Sequence, residues 1–152
     1  MAVTANDRAR RTESLRPERR DFSPWRPPLV MFSNWMLVAL GGAFGAVLRF
    51  YISESMPDSG FPWATLSVNL VGSLLLGAVA AATLSNALSE PQALLLGVGL
   101  LGAFTTMSTF SVETITLVET GQWRLAGTYV VVSAVAGPVL AWVGWKGGQA
   151  VF

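Results

Sequence analysis

The sequence has no histidine and no cysteine. It therefore offers no imidazole general base, no thiol nucleophile, no N/S metal site and no disulfide framework. Charge is almost as scarce: Asp, Glu, Lys and Arg make up 12% of the 152 residues, against about 25% in a soluble domain. That deficit excludes an ordinary cytosolic enzyme, and a hydrophobic content of 52% excludes a disordered chain. The few charges are also unevenly spread. Seven of the ten basic residues (Arg8, Arg10, Arg11, Arg16, Arg19, Arg20 and Arg26) precede residue 35 beside four acids, a net +3. From Trp35 onward Arg49, Arg124 and Lys146 face Glu54, Asp58, Glu90, Glu113 and Glu119, a net −2. A polar tail precedes a nearly uncharged body, and the chain reads as an all-α membrane protein.

A bilayer core takes about 20 mostly apolar residues per helix. Four such spans are expected, over 34–52, 62–84, 91–118 and 123–145. Together they fill a transmembrane domain over 34–148 and leave no room for a soluble one. The links 53–61, 85–90 and 119–122 are short, so sequential helices should be antiparallel neighbours. Trp63, Trp123, Trp142 and Trp145 fall near the expected helix ends, where an amphipathic ring suits the headgroup layer.

Residues 1–33, rich in Arg, Asp, Glu and Ser with late prolines at Pro24, Pro27 and Pro28, have little with which to build a core and read as a disordered tail. The apolar segment that follows contains Arg49 and no small-residue cleavage signal, which argues against a signal peptide. Met31 is an alternative start. Without the tail, Lys146 on one side stands against Arg49 and Arg124 on the other, a balance that lets the body insert either way. With it, four arginines within about 20 residues of the first helix favour an N-inside orientation.

Polar residues inside the spans are the candidates for chemistry. In the first helix Gly41 and Gly45, with Gly42 and Ala46, form a small-residue face for close helix approach. Arg49 near its end is either a residue that snorkels to water or a vestibule cation that attracts anions. Thr65, Asn69, Ser73 and Gly77 share one face of the second helix. Asn69 is either interhelical glue or a donor to a solute. The third span, at 28 residues, would be about 42 Å long as one helix, beyond a core of about 30 Å. It must tilt, extend into water or break. The run Gly102-Ala103-Phe104-Thr105-Thr106-Met107-Ser108-Thr109-Phe110-Ser111 is rich in hydroxyls that can satisfy freed backbone groups, and exposed carbonyls at such a break can hold a small cation. Glu113 is a proton-coupling carboxylate, a neutral hydrogen-bonded acid or a water-facing residue. In the fourth helix Tyr129 and Ser133 are four apart, and Pro138 is expected to kink it.

Three segments, in order, resemble the CrcB/Fluc family of fluoride channels. Residues 41–50 (GGAFGAVLRF) are similar to its GG-x-x-GA-x-x-R-[FY] first helix. Residues 65–77 (TLSVNLVGSLLLG) are similar to its TL-x-x-N-x-x-G-[ST]-x-x-x-G second helix. Residues 102–113 (GAFTTMSTFSVE) are similar to its G-[GA]-x-TTFSTFS-x-E third helix. The resemblance, over 35–148, implies an antiparallel dual-topology dimer with two fluoride pores and a central structural sodium ion. It implies a pore lined by Asn69, Ser108, Thr109 and Phe110, with Met107 where the family has its first pore phenylalanine and Glu113 further along the same helix. Gly102 and Thr105 would offer backbone carbonyls to sodium.

The expected function is a passive fluoride-selective channel of the inner (plasma) membrane, doing no covalent chemistry and lowering fluoride toxicity. Two rivals stand beside it. A proton-coupled small multidrug exporter would want its carboxylate in the first helix, which here has Arg49 and no acid. A non-conducting partner subunit is favoured by Met107 and the Arg-rich tail: a subunit fixed N-inside would need a paralogous partner in the opposite sense. Homodimer and heterodimer both stay open at this stage.

Overall fold

The computed structural model describes residues 28–57 and 59–152, with side chains from Ser33 onward. Of the tail expected over 1–33, residues 1–27 lie outside the described residues, and the chain falls into two units, Met1–Met31 and Phe32–Phe152. The second unit is the one described below.

Among the described residues every regular element is helical. Helix α1 spans Pro28–Ser55 and α2 spans Trp63–Leu84. The third span opens with α3, residues 90–104, built from an α-helical turn Glu90–Ala93, a π-helical stretch Leu94–Leu101 and a last turn Gly102–Phe104. It resumes as α4, Met107–Glu119. Helix α5 spans Trp123–Val151. Four stretches are long and apolar enough to cross a membrane, with α3 and α4 together making the third.

The helix ends differ from the sequence expectation in physical detail. Helix α1 starts at Pro28 rather than Asn34, because proline at a first helical position has its φ already set and no amide to satisfy. Helix α5 passes through Pro138 without ending and runs beyond Trp145 to Val151, with Lys146 Nζ bonded to Gln149 Oε1 at 3.1 Å in the added turn. Helices α2 and α4 stop on matching reversals. Asn86 (φ 59°) and Gly121 (φ 77°) adopt left-handed backbone, and the following amides of Ala87 and Gln122 reach back to the carbonyls of Ala82 and Leu117.

The short links reverse the chain, but the tightest crossings skip one span. Helices α2 and α5 run parallel. A Cβ placed on Gly77 would strike the Ala141 carbonyl, and one on Gly144 would strike the Leu74 carbonyl. The face expected on α1 meets α3 in the same way, Gly41 against the Leu95 carbonyl and Gly45 against that of Leu100. In lipid no water is expelled between helices, so close backbone packing at small residues replaces hydrophobic burial as the attraction.

Two small cores tie these pairs together. Leu66, Leu117, Ala126 and Tyr129 form one, with Phe61, Leu70 and Phe110 packed against it. Val68, Leu101 and Phe104 form the other. Large apolar residues such as Phe44, Val47, Val112 and Ile115 lie exposed on the outside, as a bilayer-facing surface requires.

Candidate functional site

The site begins at the interruption of the third span. Thr105 (φ −77°, ψ 154°) and Thr106 (φ −148°, ψ 114°) are both extended. In an unbroken helix the Thr106 amide would reach back to the Gly102 carbonyl. Instead it donates to Asn69 Oδ1 at 2.8 Å, while Asn69 Nδ2 donates to the Thr106 carbonyl at 3.1 Å. One side-chain amide from α2 thus satisfies both freed backbone groups. Thr106 also caps α4: its Oγ1 accepts from the Thr109 amide at 3.3 Å. The break is therefore narrower than the hydroxyl-rich run around it, confined to two threonines.

The hydroxyls beyond the break gather on that cap. Thr106 Oγ1 lies 3.2 Å from Ser108 Oγ and 3.0 Å from Thr109 Oγ1. On the α1 side, Arg49 Nε donates to the Ala103 carbonyl at 3.2 Å. A cation there complements the negative end of α3.

Between α2, the break and α5 lies a cavity of about 430 Å³. Asn69 and Ser73 come from α2, Thr105, Thr106, Met107 and Phe110 from the break and α4, and Ser133, Ala134 and Gly137 from α5. Ser133 Oγ is buried and has no hydrogen-bond partner. An unsatisfied hydroxyl beside a cavity is a donor held in reserve, since a buried polar group is costly without a partner. The Phe110 ring packs on Tyr129 with centroids 4.8 Å apart at 59°, and Met107 is 72% exposed.

Glu113 lies outside this cavity. Thr65 Oγ1 donates to its Oε1 at 2.8 Å and the Tyr129 hydroxyl to its Oε2 at 2.7 Å. It thereby ties α4 to α2 and α5 and fixes the fully buried Tyr129 ring against Phe110. Glu113 also borders a smaller cavity of about 320 Å³ with Phe61, Pro62, Thr116 and Gln122.

The structure thus brings Asn69, Met107 and Phe110 to one cavity and leaves Ser108 and Thr109 on the α4 cap, Glu113 in a neighbouring network and Arg49 behind the break. Asn69 is glue and cavity wall at once. Thr106, Tyr129 and Ser133 were not singled out as site residues from the sequence. The four-residue spacing of Tyr129 and Ser133 was the signal available for two of them. Among the described residues no group of three or more His, Cys, Asp or Glu could hold a metal, so backbone oxygen is the cation donor that the break supplies.

Residues 36–145 match the family model described as CrcB-like protein, Camphor Resistance (CrcB). The chain belongs to this CrcB-like family. The match takes in Arg49, Asn69, the break, Glu113 and Ser133 and stops just before Lys146. Proteins named fluoride-specific ion channel FluC are similar to this CrcB-like chain. The one from Novosphingobium aromaticivorans is 47% identical over 105 residues, 66% of this chain and 83% of its own. One from Thermus thermophilus is 42% identical over 121 residues, 78% of this chain and 95% of its own. That of Oceanobacillus iheyensis is 45% identical over 113 residues, 73% and 88%. With four spans of spanning length, this CrcB-like chain is a multi-pass membrane protein.

Proposed function

We propose that this CrcB-like chain is a fluoride-selective ion channel of the plasma membrane that lets fluoride leave the cytoplasm and so lowers its toxicity. It is a channel and not an enzyme, as the names of relatives at 42–47% identity support. The observation that carries the reading is the cavity at the helix break, where the partnerless Ser133 hydroxyl stands with Asn69 and Phe110.

Fluoride is small and tightly hydrated, so a pore must replace water with inward donors. Ser133 supplies an O–H with no internal partner, and Asn69 has a second N–H beyond the one given to Thr106. Phe110 offers the positive edge of its ring, which meets an anion without a full charge to trap it. Weak, repeated contacts favour passage over storage. Ser108 and Thr109 extend the hydroxyl track along α4, Glu113 holds the Tyr129 ring that backs Phe110, and Arg49 provides the vestibule cation. Met107 brings a polarisable sulfur in place of an aromatic edge.

The working unit in this reading is an antiparallel, dual-topology dimer. Met107, Val112 and Ile115, all exposed on α4, are the apolar surface it would cover. A structural sodium ion fits the break in kind: the diverted Thr106 amide leaves the Gly102 carbonyl without its helical donor, and hard cations take oxygen ligands. Gly102 and Thr105 of each copy would hold it on the two-fold axis.

Liposomes containing the purified protein should release fluoride and retain chloride. Phe110→Ile should lower the fluoride flux by about tenfold, the equivalent of 1.4 kcal/mol. Unchanged flux in that variant would remove the pore assignment. Met107 supports a second reading, a subunit that conducts only beside a paralogous sister chain. Liposomes that leak fluoride only when both chains are present would establish it.

A further inference from the structure

The Asn69–Phe110 cavity does not end in the bundle. A second cavity, of about 540 Å³, adjoins it and shares Ser73 and Leu76 with it. The shared walls make one groove between α2 and α5. From the break it follows the two parallel helices toward their C-terminal ends, past Gly77 and Ala80, and finishes at Trp142, Trp145 and Lys146. Lys146 is the one titratable side chain on this second stretch of wall. It is exposed, and its Nζ donates to the neutral amide oxygen of Gln149. The acid at this end of the bundle among the described residues is Glu90, at the start of α3.

Resting on the channel reading above, we propose that Lys146 is the anion-collecting cation at one mouth of the fluoride path. An ammonium on a four-carbon stem, beside two indole rings that favour the headgroup layer, stands where water meets the groove. A cation at the mouth of a low-dielectric cleft raises the local concentration of anions and their entry rate. It need not strip water or touch the ion deeper in, where Ser133, Asn69 and Phe110 do that work. Being exposed, its field reaches only about a Debye length, about 10 Å at 0.1 M salt and 3 Å at 1 M. The contribution must therefore depend on ionic strength, as a packing role would not.

The test is fluoride efflux from liposomes of zwitterionic lipid, at low ionic strength and again near 1 M of an impermeant salt. At low ionic strength K146Q should lower the flux by about threefold or more, and K146E further. K146R, which keeps the charge, should restore it, and at high salt all four proteins should converge. If K146E conducts like the wild type at low salt, or its deficit persists unchanged at high salt, the proposal is overturned while the channel reading stands. Wild-type liposomes that hold their fluoride as empty ones do would overturn both.

Discussion

At the scale of single residues, two buried polar groups in this protein have opposite standing. Both oxygens of Glu113 accept hydrogen bonds, from Thr65 and Tyr129, so disturbing it disturbs three helices. Ser133 Oγ accepts and donates nothing inside the chain. Ser133→Ala should therefore leave thermal stability in detergent within about 0.5 kcal/mol of the wild type and still reduce fluoride flux. Tyr129→Phe, which strands a Glu113 oxygen, should cost about 1 kcal/mol. A Ser133→Ala protein that loses stability, or that conducts normally, would show that the hydroxyl is not a donor in reserve. Asn69, Met107 and Phe110 were legible as site residues because they sit in motifs along one helix each. That Ser133 is unpaired could not be read, because it depends on which side chains three other segments bring near it.

At the scale of elements, the third span shows what length alone can and cannot say. At 28 residues it was too long for the bilayer as one straight helix, and hydroxyls at its middle made a break tolerable. The position of the break is another matter. It is set by Asn69, 37 residues away from Thr106 in sequence, whose amide takes both the N–H and the C=O of that residue. Asn69→Ala leaves the two groups unmatched, at about 1–3 kcal/mol each. A lower unfolding temperature in detergent and faster hydrogen exchange at the Thr106 amide should follow. If that amide stays protected in the variant, something other than Asn69 holds the break. Helix ends were legible to within a turn where glycine or asparagine reverses the chain. They were missed where the helix leaves the membrane: α1 begins earlier and α5 ends later than an apolar count allows, since hydrogen bonding along a helix does not stop at the hydrocarbon boundary.

At the scale of the whole molecule, packing and charge decide different things. Packing pairs α1 with α3 and α2 with α5 through glycine crossings that leave no space for a Cβ at Gly41, Gly45, Gly77 or Gly144. None of this favours one orientation in the membrane, because the crossings are indifferent to which side is cytoplasmic. Charge must decide, and the body has little to decide with. Arg49 is half-buried and bonded to the Ala103 carbonyl, so it is a weak topological signal. Arg124 near the start of α5 and Lys146 near its end then oppose each other, one against one. The arginines of the tail tip the balance, because basic residues within about 15–20 residues of a span are those that orient it. A reporter fused to the C-terminus of the full-length chain should therefore report mainly the cytoplasmic side. Replacing Arg16, Arg19, Arg20 and Arg26 with Gln should yield both orientations. Dual orientation of the unaltered chain would instead mean that the tail does not steer insertion, and one gene product could then supply both halves of an antiparallel pair. A fixed orientation carries the opposite consequence: an antiparallel channel would need a sister chain inserted the other way, and Met107 would then belong to one kind of subunit only.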